Sequence, residues 1–171
     1  MSEQAPANPN WARILLIGRN PAWTAVRIAI LVIVTIVVSK FVLIPIRVEG
    51  VSMLPTYRQG KINFVNALVY RSHEPQRGDV ISIRMAGMRV MLLKRVVGLP
   101  GEVIAFRNGQ LWIDGSPVPE PYVKFPCNWQ MDPEQIGPDE FYVVGDNRSM
   151  PQSDHTQGLA KRKRIVGKVL L

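Results

Sequence analysis

The longest apolar stretch of the chain runs over residues 28–46, IAILVIVTIVVSKFVLIPI, and Lys40 is its one charged residue. As a helix at 1.5 Å per residue it would reach roughly 28 Å, about the hydrocarbon thickness of a bilayer. Residues 21–27 add a polar entry turn, and Lys40 lies close enough to the far end to snorkel to the interface along its own methylene stem. A helix buried in a soluble core would carry polar residues at helical spacing, which this stretch lacks. A cleaved leader would show a small-x-small site after the apolar run, where Pro45-Ile46-Arg47-Val48-Glu49 stands instead. The pattern predicts one retained membrane helix over 22–46, a tail over 1–21, and a single domain over 47–171.

Beyond the span the periodicity changes. Short runs rich in Val, Ile, Phe and Tyr alternate with Gly, Pro, Asn and Asp, and predict strands over 80–84, 89–97, 102–106, 110–113, 140–144 and 165–171. Asn108-Gly109 and Asp114-Gly115 are tight-turn signals, because both positions of a primed hairpin turn need a positive φ. No long amphipathic helix is evident outside the membrane. The expected fold is mostly β: an antiparallel β-sandwich or partly closed barrel behind one N-terminal transmembrane helix. Residues 116–138, with six prolines, read as a long surface loop.

Charge then sets the orientation. Arg13, Arg19 and Arg27 precede the span against one acid, Glu3, which places the N-terminus in the cytoplasm and the domain outside the plasma or inner membrane. The formal charge of +8 would suit nucleic acid, but no pattern of stacking aromatics and bases accompanies it, so none is expected as a partner. The run Lys161-Arg162-Lys163-Arg164 reads as a solvated turn, with contact to anionic lipid headgroups as the sharper alternative. A lone Cys127 forms no internal disulfide, and two His with one Cys, widely separated, offer no metal-site spacing. No cofactor is expected.

Three segments carry candidate chemistry. Ser52 lies in Gly50-Val51-Ser52-Met53-Leu54-Pro55-Thr56, which by itself reads as a turn. In the second, Lys94 and Arg95 interrupt an apolar strand and must point to opposite faces. A lysine on the core side would have a lowered pKa, since burial disfavours its charged form, whereas one at a sheet edge would snorkel. The third is the charged turn Gly145-Asp146-Asn147-Arg148.

Together and in this order, the segments resemble the type I signal peptidase family. Its Gly-x-Ser-Met-x-Pro-Thr signature matches 50–56, its Arg-Gly-Asp signature 77–79, its Lys-Arg-Val-x-Gly-x-Pro-Gly-Glu signature 94–102, and its Gly-Asp-Asn-Arg signature 145–148. The resemblance implies a membrane-bound serine endopeptidase that removes signal peptides from exported preproteins, with Ser52 as nucleophile and Lys94 as general base. A serine hydroxyl needs a base within hydrogen-bond reach, and a lysine made neutral by burial can serve. The Ser52 N–H is the natural first oxyanion donor. Asp146, Asn147 and Arg148 support the site through their motif. Met53, Leu54, Leu92 and Leu93 are candidates to wall shallow substrate pockets or to touch lipid. The substrate would add as an extended strand to a sheet edge.

The sequence also departs from the family. Some relatives carry a hydroxyl two residues before the nucleophile, where this chain has Gly50. Pro151 occupies the place of the serine that usually orients the base, and His155 stands where Arg is usual. Ser149 and Ser153 are the nearby hydroxyls, and Ser153, next to Asp154, is the preferred orienting partner for Lys94. His155 reads as a loop histidine, and His73 is assigned no role. The altered motif leaves two alternatives: a dedicated peptidase that matures one exported substrate, such as a pilin, and a membrane-anchored β-domain that binds peptides without cutting.

Overall fold

The computed structural model describes residues 20–84, 91–125, 127–155 and 158–170. The tail with Glu3, Arg13 and Arg19, the start of the strand expected at 89, and Leu171 lie outside the described residues. The chain divides into two compact units, Met1–Lys40 and Phe41–Leu171.

Helix α1 (Pro21–Phe41) is 21 residues long, about 31 Å at the helical rise, which is enough to cross a bilayer. Its mean hydropathy over the candidate span is 2.3. The two hydroxyls in its second half are satisfied within the helix: Thr35 Oγ1 donates to the Leu31 carbonyl at 2.8 Å and Ser39 Oγ to the Ile36 carbonyl at 3.2 Å. Such back-bonding removes a polar group's need for water. The helix stops five residues short of the expected end at 46, and residues Leu43–Arg47 form strand β1 instead. Pro45 explains the stop, because its ring would clash with the carbonyl of Phe41, four residues earlier, and the residue before a proline is driven out of the helical region.

The second unit is mostly β, in two antiparallel sheets. The strands that follow β1 are β2 (Ile62–Asn66), β3 (Val80–Arg84), β4 (Met91–Gly98), β5 (Val103–Arg107), β6 (Gln110–Ile113), β7 (Ser116–Pro117), β8 (Met131–Gln135), β9 (Glu140–Val144), β10 (Gly158–Lys161) and β11 (Ile165–Leu170). A seven-stranded sheet has the order β1-β2-β11-β3-β4-β9-β10, and a four-stranded sheet the order β7-β6-β5-β8. Asn108 and Gly109, at φ 48° and 75°, close the β5–β6 hairpin, as their sequence predicts. The expected proline-rich loop contains β7 and β8; β8 pairs along the rim of the small sheet, where Pro133 is tolerated.

The sheets share a core in which Val97, Tyr142 and Val144 of the large sheet meet Ile104, Phe106 and Leu111 of the small one. A second core places Val96 of β4 with Ile81, Phe141 and Val143. Both faces of β4 are therefore covered at its C-terminal half. Its N-terminal half differs: β9 pairs with β4 only from Arg95 onward, so among the described residues 91–94 are bonded to β3 alone. Strand β1, which ends the sheet and among the described residues pairs only with β2, has a free edge there as well and accommodates Pro45 on it.

Candidate active site

Ser52 follows β1 in a run of turns held by local bonds, Leu54 N–H to the Val51 carbonyl at 3.1 Å and Tyr57 N–H to the Met53 carbonyl at 2.9 Å. Met53 and Tyr57 anchor the run in a third core with Val48, Val65 and Val169. From below, Asn147 grips it twice: its N–H donates to the Ser52 carbonyl at 2.9 Å and its Nδ2 to the Val51 carbonyl at 3.1 Å. Gly145 makes this approach possible, since a Cβ there would lie 2.2 Å from the Ser52 carbonyl oxygen. Among the described residues no acceptor is bonded to the Ser52 N–H.

Lys94 projects from the half-free part of β4, is 3% exposed, and sets its Nζ 3.0 Å from Ser52 Oγ. Burial is the main influence on the amine and brings its pKa down from 10.5 to about 8, against the upward pull of the Asp146 carboxylate. The strand alternation sends Arg95 the other way, yet it too is buried, because both faces of β4 are covered. Arg95 forks onto Asp146, Nε to Oδ1 at 2.7 Å and Nη2 to Oδ2 at 2.6 Å, and gives its third donor to the Gly78 carbonyl at 2.6 Å. Thr56 Oγ1 donates to the same carboxylate at 2.6 Å. Thus Asp146 joins the segment of Ser52 to that of Lys94, and a bidentate pair of this kind fixes orientation as well as charge.

Arg148 is fully buried and holds Glu120 of the proline-rich segment bidentately at 2.9 and 2.5 Å, while its Nε donates to the Gly145 carbonyl at 3.0 Å. Tyr122 lies under the Arg95 guanidinium, 4.0 Å from ring centroid to cation. Sequence reasoning missed Glu120 and Tyr122: between prolines 119 and 121 an acidic residue reads as loop decoration, and no periodicity marks its distant arginine. Arg77, in turn, reaches the Val97 carbonyl and pairs with Glu102 at 2.5 Å, so the Arg-Gly-Asp signature braces the C-terminal end of β4.

A cleft of about 380 Å³ opens beside Ser52, between Ile44, Ile46 and Val48 on one side and Met91, Leu92 and Leu93 on the other, with Ser52 and Met53 on its floor. Of the candidate wall residues, Leu92, Leu93 and Met53 line this cleft and Leu54 does not. The structure also leaves Ser153 away from the amine. It sits in the exposed turn Gln152–Asp154, and its hydroxyl donates to Asp154 Oδ1 at 3.1 Å. Ser149 Oγ donates to Asn147 Oδ1 at 2.7 Å. Neither is a hydrogen-bond partner of Lys94; Pro151 begins the short turn and directs it to solvent.

His155, read as a loop residue, is instead 5% exposed. Its Nε2 is 3.0 Å from the Asn147 carbonyl, and its ring stands edge-on to Trp129 at 4.9 Å between centroids. Burial, and then the charge of Lys94, hold its pKa down at about 4, so it is neutral at physiological pH. No group of three or more His, Cys, Asp or Glu with metal-binding placement occurs among the described residues.

The chain is similar to proteins of a known family. The signal peptidase family model, peptidase S26, matches residues 22–171. Signal peptidase I of Bacillus amyloliquefaciens is 34% identical over 82% of this chain and 78% of its own length. Signal peptidase I V of Bacillus subtilis (strain 168) is 33% identical over 80% and 89% respectively, and signal peptidase I of Leptolyngbya laminosa 30% over 84% and 75%. The chain therefore belongs to the signal peptidase family, peptidase S26, and is a peptidase of the signal peptidase I type.

Proposed function

We propose that this protein is a membrane-anchored serine endopeptidase that removes signal peptides from exported preproteins through a Ser52–Lys94 dyad. The observation that carries the reading is the 3.0 Å contact between Lys94 Nζ and Ser52 Oγ at the floor of an apolar cleft. Neutral Lys94 accepts the hydroxyl proton as Ser52 Oγ attacks the scissile carbonyl, and the resulting oxyanion is met by the Ser52 N–H. The lysine ammonium then protonates the departing amine. After release of the mature chain, the lysine takes a proton from water, which attacks the acyl-enzyme and frees Ser52.

The cleft's walls are strands with unpaired edges, β1 and the first half of β4, which suits a substrate that enters as a strand and presents alternate side chains to Leu92, Leu93 and Met53. Helix α1 is the anchor, with its N-terminal end in the cytoplasm. Ile62 and Phe64, 67% and 47% exposed, and Leu170, the register neighbour of Phe64, offer lipid an apolar patch.

The test is cleavage of several unrelated preproteins by the full chain in detergent micelles. Ser52→Ala and Lys94→Ala should each lower turnover by roughly three orders of magnitude or more with the fold retained. A loss of only a few-fold in either would overturn the dyad. The altered motif around Pro151 favours a second reading, a peptidase dedicated to one exported substrate, and cleavage of a single member of the panel would support it.

A further inference from the structure

The Lys94 amine has a hydrogen-bond partner in Ser52, but the hydroxyls expected to steady it, Ser149 and Ser153, are bonded elsewhere. A neutral amine carries two N–H donors besides the lone pair that must face the serine, so a lysine working as a base needs an acceptor to fix its rotamer. The same region contains an acceptor without a donor. His155 Nε2 faces the Asn147 carbonyl, so the neutral ring carries its proton there. This leaves Nδ1 as a bare lone pair, buried and without a hydrogen-bond partner among the described residues. Such orphans are costly, and each calls for an explanation.

Both groups face the segment of Ser52: Lys94 Nζ is 3.0 Å from Ser52 Oγ. A Cβ built on Gly145 would meet the Ser52 carbonyl oxygen at 2.2 Å and His155 Cε1 at 2.5 Å, so the ring edge abuts the backbone of the nucleophile. The charged groups that act on the ring are Lys94 of β4 and Arg148 of the turn below, both cations, and Lys94 itself faces Asp146. A proton on Nδ1 would meet two positive charges.

We propose that His155 is the positioning residue for Lys94: its Nδ1 accepts, through one bridging water, a hydrogen bond from the lysine amine. The assignment rests on Lys94 acting as the base and replaces the serine that Pro151 displaces. A water with two such partners closes both unmet bonds at small entropic cost. Trp129 fixes the ring plane and Asn147 fixes the tautomer, so the acceptor is held as rigidly as the nucleophile.

Two amides separate this role from simple packing. In His155→Asn the amide reaches the place of Nδ1, while in His155→Gln it reaches the place of Nε2 and keeps the bond to the Asn147 carbonyl. Full-length variants in micelles would be assayed for kcat, KM and the pH dependence of kcat, with folded fraction followed by circular dichroism. His155→Asn should stay within a few-fold of the parent. His155→Gln should fold, hold KM within a few-fold, and lose kcat on the order of 100-fold. An acceptor favours the ammonium over the amine, so its loss should also move the rising limb of the pH profile to lower pH by roughly half a unit to one unit. Gln equal to or better than Asn, or no movement of the limb, would show that the ring only packs. Loss of the dyad reading would look different: Lys94→Ala would then remain active whatever happens at His155.

Discussion

Replacing Lys94 by Met should strengthen the fold while it destroys turnover. The methionine keeps the unbranched stem and removes the ammonium that the interior tolerates poorly. In the folded protein the lysine pKa is about 8, against 10.5 for an unburied lysine. A shift of about 2.5 units corresponds to roughly 3 kcal/mol of penalty on the charged form. Below pH 8 the lysine is protonated in both states and the folded state bears the whole penalty. Between pH 8 and 10.5 only the unfolded chain holds the proton, so the penalty is relieved and the parent grows more stable as pH rises. Lys94→Met should therefore exceed the parent by about 3 kcal/mol at pH 7, and the gap should close by pH 10.5. Urea unfolding followed by tryptophan fluorescence at several pH values measures this directly. The same protonation governs the parent's rate: about 9% of Lys94 is neutral at pH 7, against about 0.03% for an ordinary lysine, so kcat/KM should climb nearly tenfold per unit below pH 8 and level off above 9. A Lys94→Met protein no more stable than the parent at pH 7, or a gap that ignores pH, would refute the claim that burial sets the state of this amine.

Two further substitutions probe the platform. Ser153→Ala should leave turnover within about two-fold of the parent, because its hydroxyl is exposed and bonded to Asp154; a preprotein cleavage assay checks it, and a strong loss would return the orienting role to Ser153. Gly145→Ala should abolish activity, since the new methyl would sit 2.2 Å from the Ser52 carbonyl oxygen and 2.5 Å from His155; melting and turnover measured together should fall, and near-parental turnover would mean that the Asn147 turn can retreat without moving Ser52.

Legibility in the sequence followed the range of the forces involved. The start of the apolar helix, the two Gly-containing turns and strands such as Val80–Arg84 and Glu140–Val144 are written in local pattern, and the structure has them at the expected places. Strands β1, β2, β7, β8 and β10 were not legible. β8, Met131–Gln135, holds Asp, Pro and Glu with no alternation, and exists because β5 offers it a partner. β1 was hidden inside the apolar run, whose hydropathy continues past the point where Pro45 forbids the helix. At the site, spacing carried the resemblance that joined Ser52 to Lys94, but not the bond between Arg148 and Glu120, 28 residues apart. His155 shows the same limit. Its neighbours in sequence are polar, and only Trp129 and Asn147, brought in by folding, make it an interior residue.

The half-paired strand β4 has a consequence for timing. Under the proposed strand entry, a slot bounded by the edges of β1 and residues 91–94 would accept only a backbone whose own amides and carbonyls are not yet spoken for. A junction that has already been drawn into a finished domain would have to unravel several residues to enter, and at about 1 kcal/mol or more per broken contact the entry would slow steeply. The slot thus competes with the folding of its own product, and the order of events along an export route is fixed by which of the two reaches the junction first.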